Sequence, residues 1–226
     1  MQDTLIIFDC DGVLVDSEPL AALAYGRVYS KHGMELDPQA VLQCVGMKQT
    51  DILERIRLTT GHRLEEHQTT DLWDEVKALF TESLQPMAGL KPFLERLSNP
   101  RCVASSSSLE RIHHSLSVTG LARFFGENIF SSSMVARGKP APDIFLFAAD
   151  QMSIEPKHCA VVEDSPFGVQ GAVAAGMTAI GFIGGGHTYP GHAEKLRVAG
   201  ARTICADWDE VARELVSLEL IAPVSV

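Results

Sequence analysis

The sequence contains no apolar run of about 18 residues, the length a helix needs to cross a bilayer, so no membrane span is expected. Positive charge is scarce, with 19 Lys and Arg against 29 Asp and Glu and a net charge of −10. That balance argues against a non-specific nucleic-acid or anionic-membrane partner, although an anionic small molecule is allowed where a site supplies local positive charge. Cysteine is sparse: Cys10, Cys44, Cys102, Cys159 and Cys205 are odd in number, scattered and mostly flanked by apolar residues. Such usage suits reduced, buried thiols in a cytoplasmic protein better than a disulfide framework or a zinc site. The chain passes from Met-Gln-Asp straight into a strand pattern, and no secretory leader is expected. Repeats are absent, and the only biased segment is the serine run at 105–108. What remains is ordinary globular composition, 46% hydrophobic and 21% charged over 226 residues. That suits one large domain, or a core with a smaller one inserted.

The most informative stretch is Thr4–Asp16, TLIIFDCDGVLVD. A short apolar strand ends in Asp9 and Asp11, then turns at Gly12. Strand side chains alternate, so the two carboxylates share one side where the chain leaves the sheet, and Cys10 points to the other. Two close carboxylates repel, and a cation or shared proton offsets that repulsion. Mg²⁺ prefers oxygen ligands and leaves positions for water and phosphate. Acids and glycine also favour a plain solvated turn, so the motif alone does not decide.

Strand-like runs recur at Leu5–Phe8, Cys102–Ala104, Ile129–Phe130, Ala160–Val162 and Ala179–Ile183, with helical patterns such as Ile144–Met152 and Gly168–Ala175 between them. This alternation predicts an α/β fold with a parallel sheet covered on both faces. The interval from Ser17 to Pro86 breaks the pattern. It holds only helical stripes: Leu20, Leu23, Ala24, Arg27 and Val28, then Ile52 and Ile56, then Leu72, Val76, Leu79 and Phe80. We expect an all-helical insertion at 17–86 in a core formed by 1–16 and 87–226. The chain leaves between Asp16 and Pro19 and returns through Gln85-Pro86-Met87-Ala88-Gly89.

Three more strand ends carry chemistry. Ser105, Ser106, Ser107 and Ser108 follow the second strand, and Ser107 with Glu110 fits a capping box opening a helix, an arrangement that also suits an anion. Lys139 stands in the turn Gly138-Lys139-Pro140-Ala141-Pro142-Asp143, where an ammonium could offset Asp9 and bind a phosphate oxygen. Glu163 and Asp164 end another strand, with Ser165 and Pro166 opening the next helix. Acids there point into the crevice where such sheets bind ligands. Each signal has a plain structural reading, but acid, hydroxyl, lysine and acid at four strand ends form a set.

That set resembles the haloacid dehalogenase superfamily of phosphotransferases, whose four motifs appear in order as Asp9-x-Asp11-Gly12-Val13, Ser105, Lys139 and Glu163-Asp164. The resemblance covers almost the whole chain and implies a Rossmann-like core with a helical cap between the first and second motifs. It implies Asp9 as nucleophile and Asp11 as general acid/base, with Ser105 and Lys139 holding the phosphoryl group. Asp164 and Glu163 would bind Mg²⁺ together with Asp9 and the Asp11 backbone carbonyl. Substrate contacts are expected from Ser106, Ser107 and the cap loop at Gly46, Met47 and Lys48. Lys48 is equally readable as a solvated charge.

The implied activity is Mg²⁺-dependent hydrolysis of a small phosphorylated metabolite, a sugar or sugar-acid phosphate, by a monomer or weak homodimer. A sugar phosphomutase is the alternative enzyme and a phospho-accepting receiver the non-enzymatic one. The β-phosphoglucomutases use a histidine and a cap-loop arginine where this chain has Ala21 and Gln49. Dehalogenases and phosphonoacetaldehyde hydrolases typically lack a carboxylate at the position of Asp11. Gly184-Gly185-Gly186-His187 with His192 matches no strong metal motif and is expected as a mobile loop at the crevice rim. Trp73 and Phe80 are expected in the cap interior.

Overall fold

The computed structural model describes residues 4–42, 44 and 47–222. Strand β1 (Leu5–Phe8) is followed by four helices, α1 (Glu18–Lys31), α2 (Pro38–Leu42), α3 (Gln49–Thr60) and α4 (Glu66–Ser83). The chain then alternates: α5 (Leu90–Arg96), β2 (Arg101–Ser105), α6 (Leu109–Val118), β3 (Ile129–Ser131), α7 (Asp143–Gln151), β4 (Cys159–Glu163), α8 (Pro166–Ala174), β5 (Thr178–Phe182), α9 (His192–Ala199), β6 (Thr203–Cys205) and α10 (Trp208–Ser217). All six strands form one sheet in the order β3-β2-β1-β4-β5-β6, with every pairing parallel. The α/β class and the five expected strands stand, within a residue or two at each end.

Strand β6 was not anticipated. Three residues beside Arg202 and Asp207 carry too little pattern, and only pairing with β5 (Phe182 opposite Cys205) makes them a strand. Alternation sorts the strand residues onto two faces. Ile6 and Phe8 pack with Phe93, Phe125 and Trp208, whereas Leu5 and Ile7 pack with Ile144, Phe145 and Val169. Both faces are dry, as a parallel sheet requires. All five cysteines are free and buried. Among the described residues, no helix is long and apolar enough to cross a membrane.

Between β1 and α5 the described residues of 17–86 contain helices and no strand. A third apolar cluster, including Tyr25, Tyr29, Ile56 and Leu72, lies wholly within α1–α4 and their loops. The buried face of α1 is Ala21, Ala22, Ala24, Tyr25, Val28 and Tyr29. It shares Ala24 and Val28 with the expected stripe, but Leu23 is exposed and Tyr25 and Tyr29 are buried in its place. Val76, Leu79 and Phe80 of α4 pack instead into the main core. The two connections to the helical block are tied together. Val15 bridges Pro86, and the Asp16 amide donates to the Gln85 carbonyl at 3.2 Å.

Candidate active site

The site lies at the carboxyl ends of β2, β1 and β4, beside the point where the chain, having built outward through β2 and β3, crosses back to β4. The β1 ladder continues one residue further, through the Asp9 amide to the Val162 carbonyl at 3.0 Å. This fixes Asp9 against the end of β4. Lys139 reaches in from the β3–α7 connection, where the Lys139–Pro140 bond is cis. Its ammonium donates to Asp9 Oδ1 at 2.5 Å, Glu163 Oε1 at 2.6 Å and the Ala104 carbonyl at 3.0 Å. All three protons of the ammonium are spent. Burial opposes the charge on Lys139, but Asp9 and Glu163 outweigh it and hold the ammonium above its ordinary range.

Glu163 is expected as a metal ligand, but the geometry gives it other partners. Its second oxygen accepts from the Ser165 amide at 2.8 Å and hydroxyl at 3.1 Å. The carboxylate lies over Gly168, where a Cβ would overlap it. Strand alternation sends Glu163 and Asp164 in different directions, so Glu163 positions the lysine while Asp164 turns toward the turn after Asp11.

Asp11 is held by three donors. Oδ1 accepts from Ser17 Oγ at 2.6 Å and Arg111 Nη2 at 2.8 Å, and Oδ2 accepts from Ser107 Oγ at 2.5 Å. Burial works against its charge, but Arg111, Ser107 and Ser17 together keep the carboxyl below the usual range. The expected Ser107–Glu110 capping box is corrected here. Ser108 caps α6, accepting from the Arg111 amide at 3.3 Å, which frees the Ser107 side chain for Asp11. Gly12 turns the chain with φ +76°, and a Cβ there would overlap Asp164 Oδ2.

The residues fit a hard divalent cation. Burial raises Asp9 well above the carboxylate range; Lys139 opposes this, while Glu163, Asp164 and Asp11 add to it. One lysine does not balance the acids. Asp164 is also raised, first by burial, although His187 stands beside its Oδ2 and opposes the shift. Buried acids crowded this closely, with one lysine among them, suit a further positive charge supplied by a hard cation. Among the described residues, no three acidic, imidazole or thiol side chains already converge at metal spacing. Asp164 faces His187 instead, at 2.9 Å from Nε2. Burial lowers the His187 pKa, but Asp164 dominates and lifts it to about 9. The glycine loop is therefore no bare rim. His187 is buried, and His192 Nε2 donates to the Asp164 carbonyl at 2.6 Å. No local motif marks these contacts.

A small cavity of about 40 Å³ is lined by Asp9, Asp11, Ser105 and Ser106 together with Glu18 and Ala21 among others. Beyond it lies a cleft of about 270 Å³ between the helical block and the sheet, lined by Lys48, Trp73, Ser107 and Arg111 among others. Ser105 is buried, its Oγ accepting from the Ser107 amide at 3.2 Å. The expected contacts Ser106, Ser107 and Lys48 all reach these cavities; Gly46 lies outside the described residues. Phe80 is buried, but in the main core rather than in the cap interior expected for it, and Trp73 sits at the cleft wall, edge-on to His114 at 5.9 Å. Sequence reasoning missed Ser17, Glu18 and Arg111. The one available signal for Arg111 was its place in the first turn of the helix after the serine run.

Residues 4–176 match the family model described as haloacid dehalogenase-like hydrolase. The chain belongs to that family. It is 31% identical over 187 residues to 6-phosphogluconate phosphatase of Escherichia coli strain K12, spanning 82% of this chain and 85% of that protein. Among solved structures it resembles a haloacid dehalogenase-like protein from Agrobacterium tumefaciens, with TM-score 0.83, 36% identity and coverage of 96% and 99%. A hydrolase of the same family from Deinococcus radiodurans, solved with phosphate and sodium, gives TM-score 0.79, 31% identity and 98% coverage of both chains. The chain is thus an enzyme of the hydrolase class, which removes the phospho-accepting receiver as a reading.

Proposed function

We propose that this hydrolase is a Mg²⁺-dependent phosphatase of small phosphorylated sugars or sugar acids, working in the cytoplasm through an aspartyl-phosphate on Asp9. The observation that carries the reading is the seating of Asp9 against Lys139, with Asp11 two residues on and Asp164 at the next strand end. Asp9 attacks phosphorus while the bond to the leaving oxygen breaks. Asp11 must first take up a proton, against the hold of Arg111, Ser107 and Ser17, to give it to that oxygen, and then takes one from the water that cleaves the acyl phosphate. Lys139 and Ser105 hold the phosphoryl oxygens, and Glu163 anchors Lys139. Asp9, Asp164 and the Asp11 carbonyl would hold Mg²⁺, which supplies charge neutralisation and alignment of the phosphoryl group. The tied connections at Val15–Pro86 support a lid formed by residues 17–86 over a core of 1–16 and 87–226.

Hydrolase is favoured over mutase because Ala21, which lines the inner cavity with Asp9 and Asp11, stands where the β-phosphoglucomutases carry a histidine. The reading is tested with a generic aryl phosphate. Asp9→Asn should abolish turnover with the fold intact, EDTA should silence the wild type, and Mg²⁺ should restore it. Activity in Asp9→Asn, or activity surviving exhaustive chelation, would sink the mechanism or the metal assignment respectively.

A further inference from the structure

Resting on the phosphatase reading, the geometry points to Arg111 as a specificity-determining residue that grips a second anionic group on the substrate. Substrates with a far carboxylate or phosphate are then favoured over neutral sugar phosphates. Among the described residues, Arg111 is the one with a fixed positive charge on the wall of the inner cavity, and it also lines the outer cleft, so a ligand crossing from one to the other passes it. Its guanidinium lies over the Phe80 ring at 5.1 Å, which fixes the plane of the fork. Of its donors, Nη2 goes to Asp11, and Nε is buried without a partner. A guanidinium nitrogen left without a partner is suited to a further anionic oxygen.

Lys48 adds a second cation on the cleft wall, and it lies close against Gly138, where a Cβ would overlap it. The acids set the direction. Asp9, Asp11 and Glu18 crowd the inner cavity, so a second anion is repelled there and drawn outward to Arg111 and Lys48. Hydroxyls of Ser107, Ser108 and Ser133 on the same cleft suit the intervening polyol. The cap-loop position occupied by Gln49 carries no charge, yet a guanidinium fork is present in the same cleft, supplied from α6.

The test pairs a six-carbon aldonic acid 6-phosphate with the matching hexitol 6-phosphate, and adds a hexose 1,6-bisphosphate. We expect the wild type to favour the acid or the bisphosphate by about 10- to 100-fold in kcat/KM, read mainly in KM. Arg111→Met should collapse that ratio toward one, Arg111→Lys should keep part of it, and Lys48→Met should lower it less. Calorimetric binding of the unreactive phosphonate analogues to the Asp9→Asn protein should show the same ratio and the same loss in the Arg111→Met double variant. The proposal is overturned if the wild type turns over the hexitol ester with no preference for a second anion. It also falls if Arg111→Met depresses all substrates equally, which would leave the arginine as a positioning residue for Asp11. Failure to hydrolyse any phosphate monoester, aryl phosphate included, would instead overturn the phosphatase reading. In that case the binding ratio still decides the role of Arg111.

Discussion

Replacing Lys139 by methionine keeps most of the length of the side chain and removes its charge. The ammonium is 1% exposed and sits 2.5 Å from Asp9 and 2.6 Å from Glu163, themselves 9% and 1% exposed. This is the regime of a buried ion pair, where deleting one partner strands the other and costs about 3–5 kcal/mol. Exposed pairs are worth only about 0–1 kcal/mol. Arg27–Glu75, at 54% and 31% exposure, is such a pair and serves as the control. For a chain of this size each kcal/mol is roughly 2–4 °C of melting temperature, so Lys139→Met should melt about 6–20 °C lower. Urea unfolding in EDTA measures the loss without the metal. Adding Glu163→Gln removes one of the two stranded charges, so the double variant should recover a coupling energy of about 0.5–3 kcal/mol. A Lys139→Met protein within about 1 kcal/mol of wild type would refute the premise that the lysine neutralises both acids.

Gly168→Ala places a methyl group on the Glu163 carboxylate, and should cost about 1–3 kcal/mol in urea unfolding and lower kcat without contacting substrate. Unchanged stability and rate would mean that Glu163 is free to move. In the helical block, Asp71 accepts from Lys31 and His32 at 2.8 and 2.9 Å, and those bonds hold its pKa below the usual value. A carboxylate lowered in the fold contributes stability above its unfolded pKa of about 3.9 and loses it as pH falls through the folded value. The gap between wild type and Asp71→Asn should therefore close on acidification below about pH 4, and a gap that widens would contradict the pairing. Glucose 1-phosphate with a trace of the 1,6-bisphosphate should yield inorganic phosphate or nothing, whereas efficient formation of glucose 6-phosphate would make the enzyme a mutase.

Much of this architecture is legible in the chain because hydrophobic alternation and breakers are local. Leu5–Phe8, with no polar residue and an acid just beyond each end, announces a buried central strand, and its bounds match the structure residue for residue. Lys139 could be linked to Asp9 only because family resemblance supplied a contact across 130 residues, which the structure places at 2.5 Å. What escaped is what depends on chain crossings. Thr203–Cys205 becomes a strand by pairing with β5, Ser107 and Ser108 exchange roles according to where α6 begins, and Arg111 and His187 meet Asp11 and Asp164 through tertiary packing. Glu163 and Asp164 are adjacent letters in one motif. Their separate partners follow from alternation, a rule available in the sequence that the shared label of metal ligand obscured.

The central claim is the covalent intermediate on Asp9. Borohydride added during turnover reduces an aspartyl phosphate to homoserine, and peptide mass spectrometry locates the altered residue. Homoserine is expected at position 9 in the wild type, dependent on Mg²⁺ and substrate, and none in Asp9→Asn. Phosphate release with no homoserine anywhere, or with homoserine at Asp11 or Asp164, would contradict it.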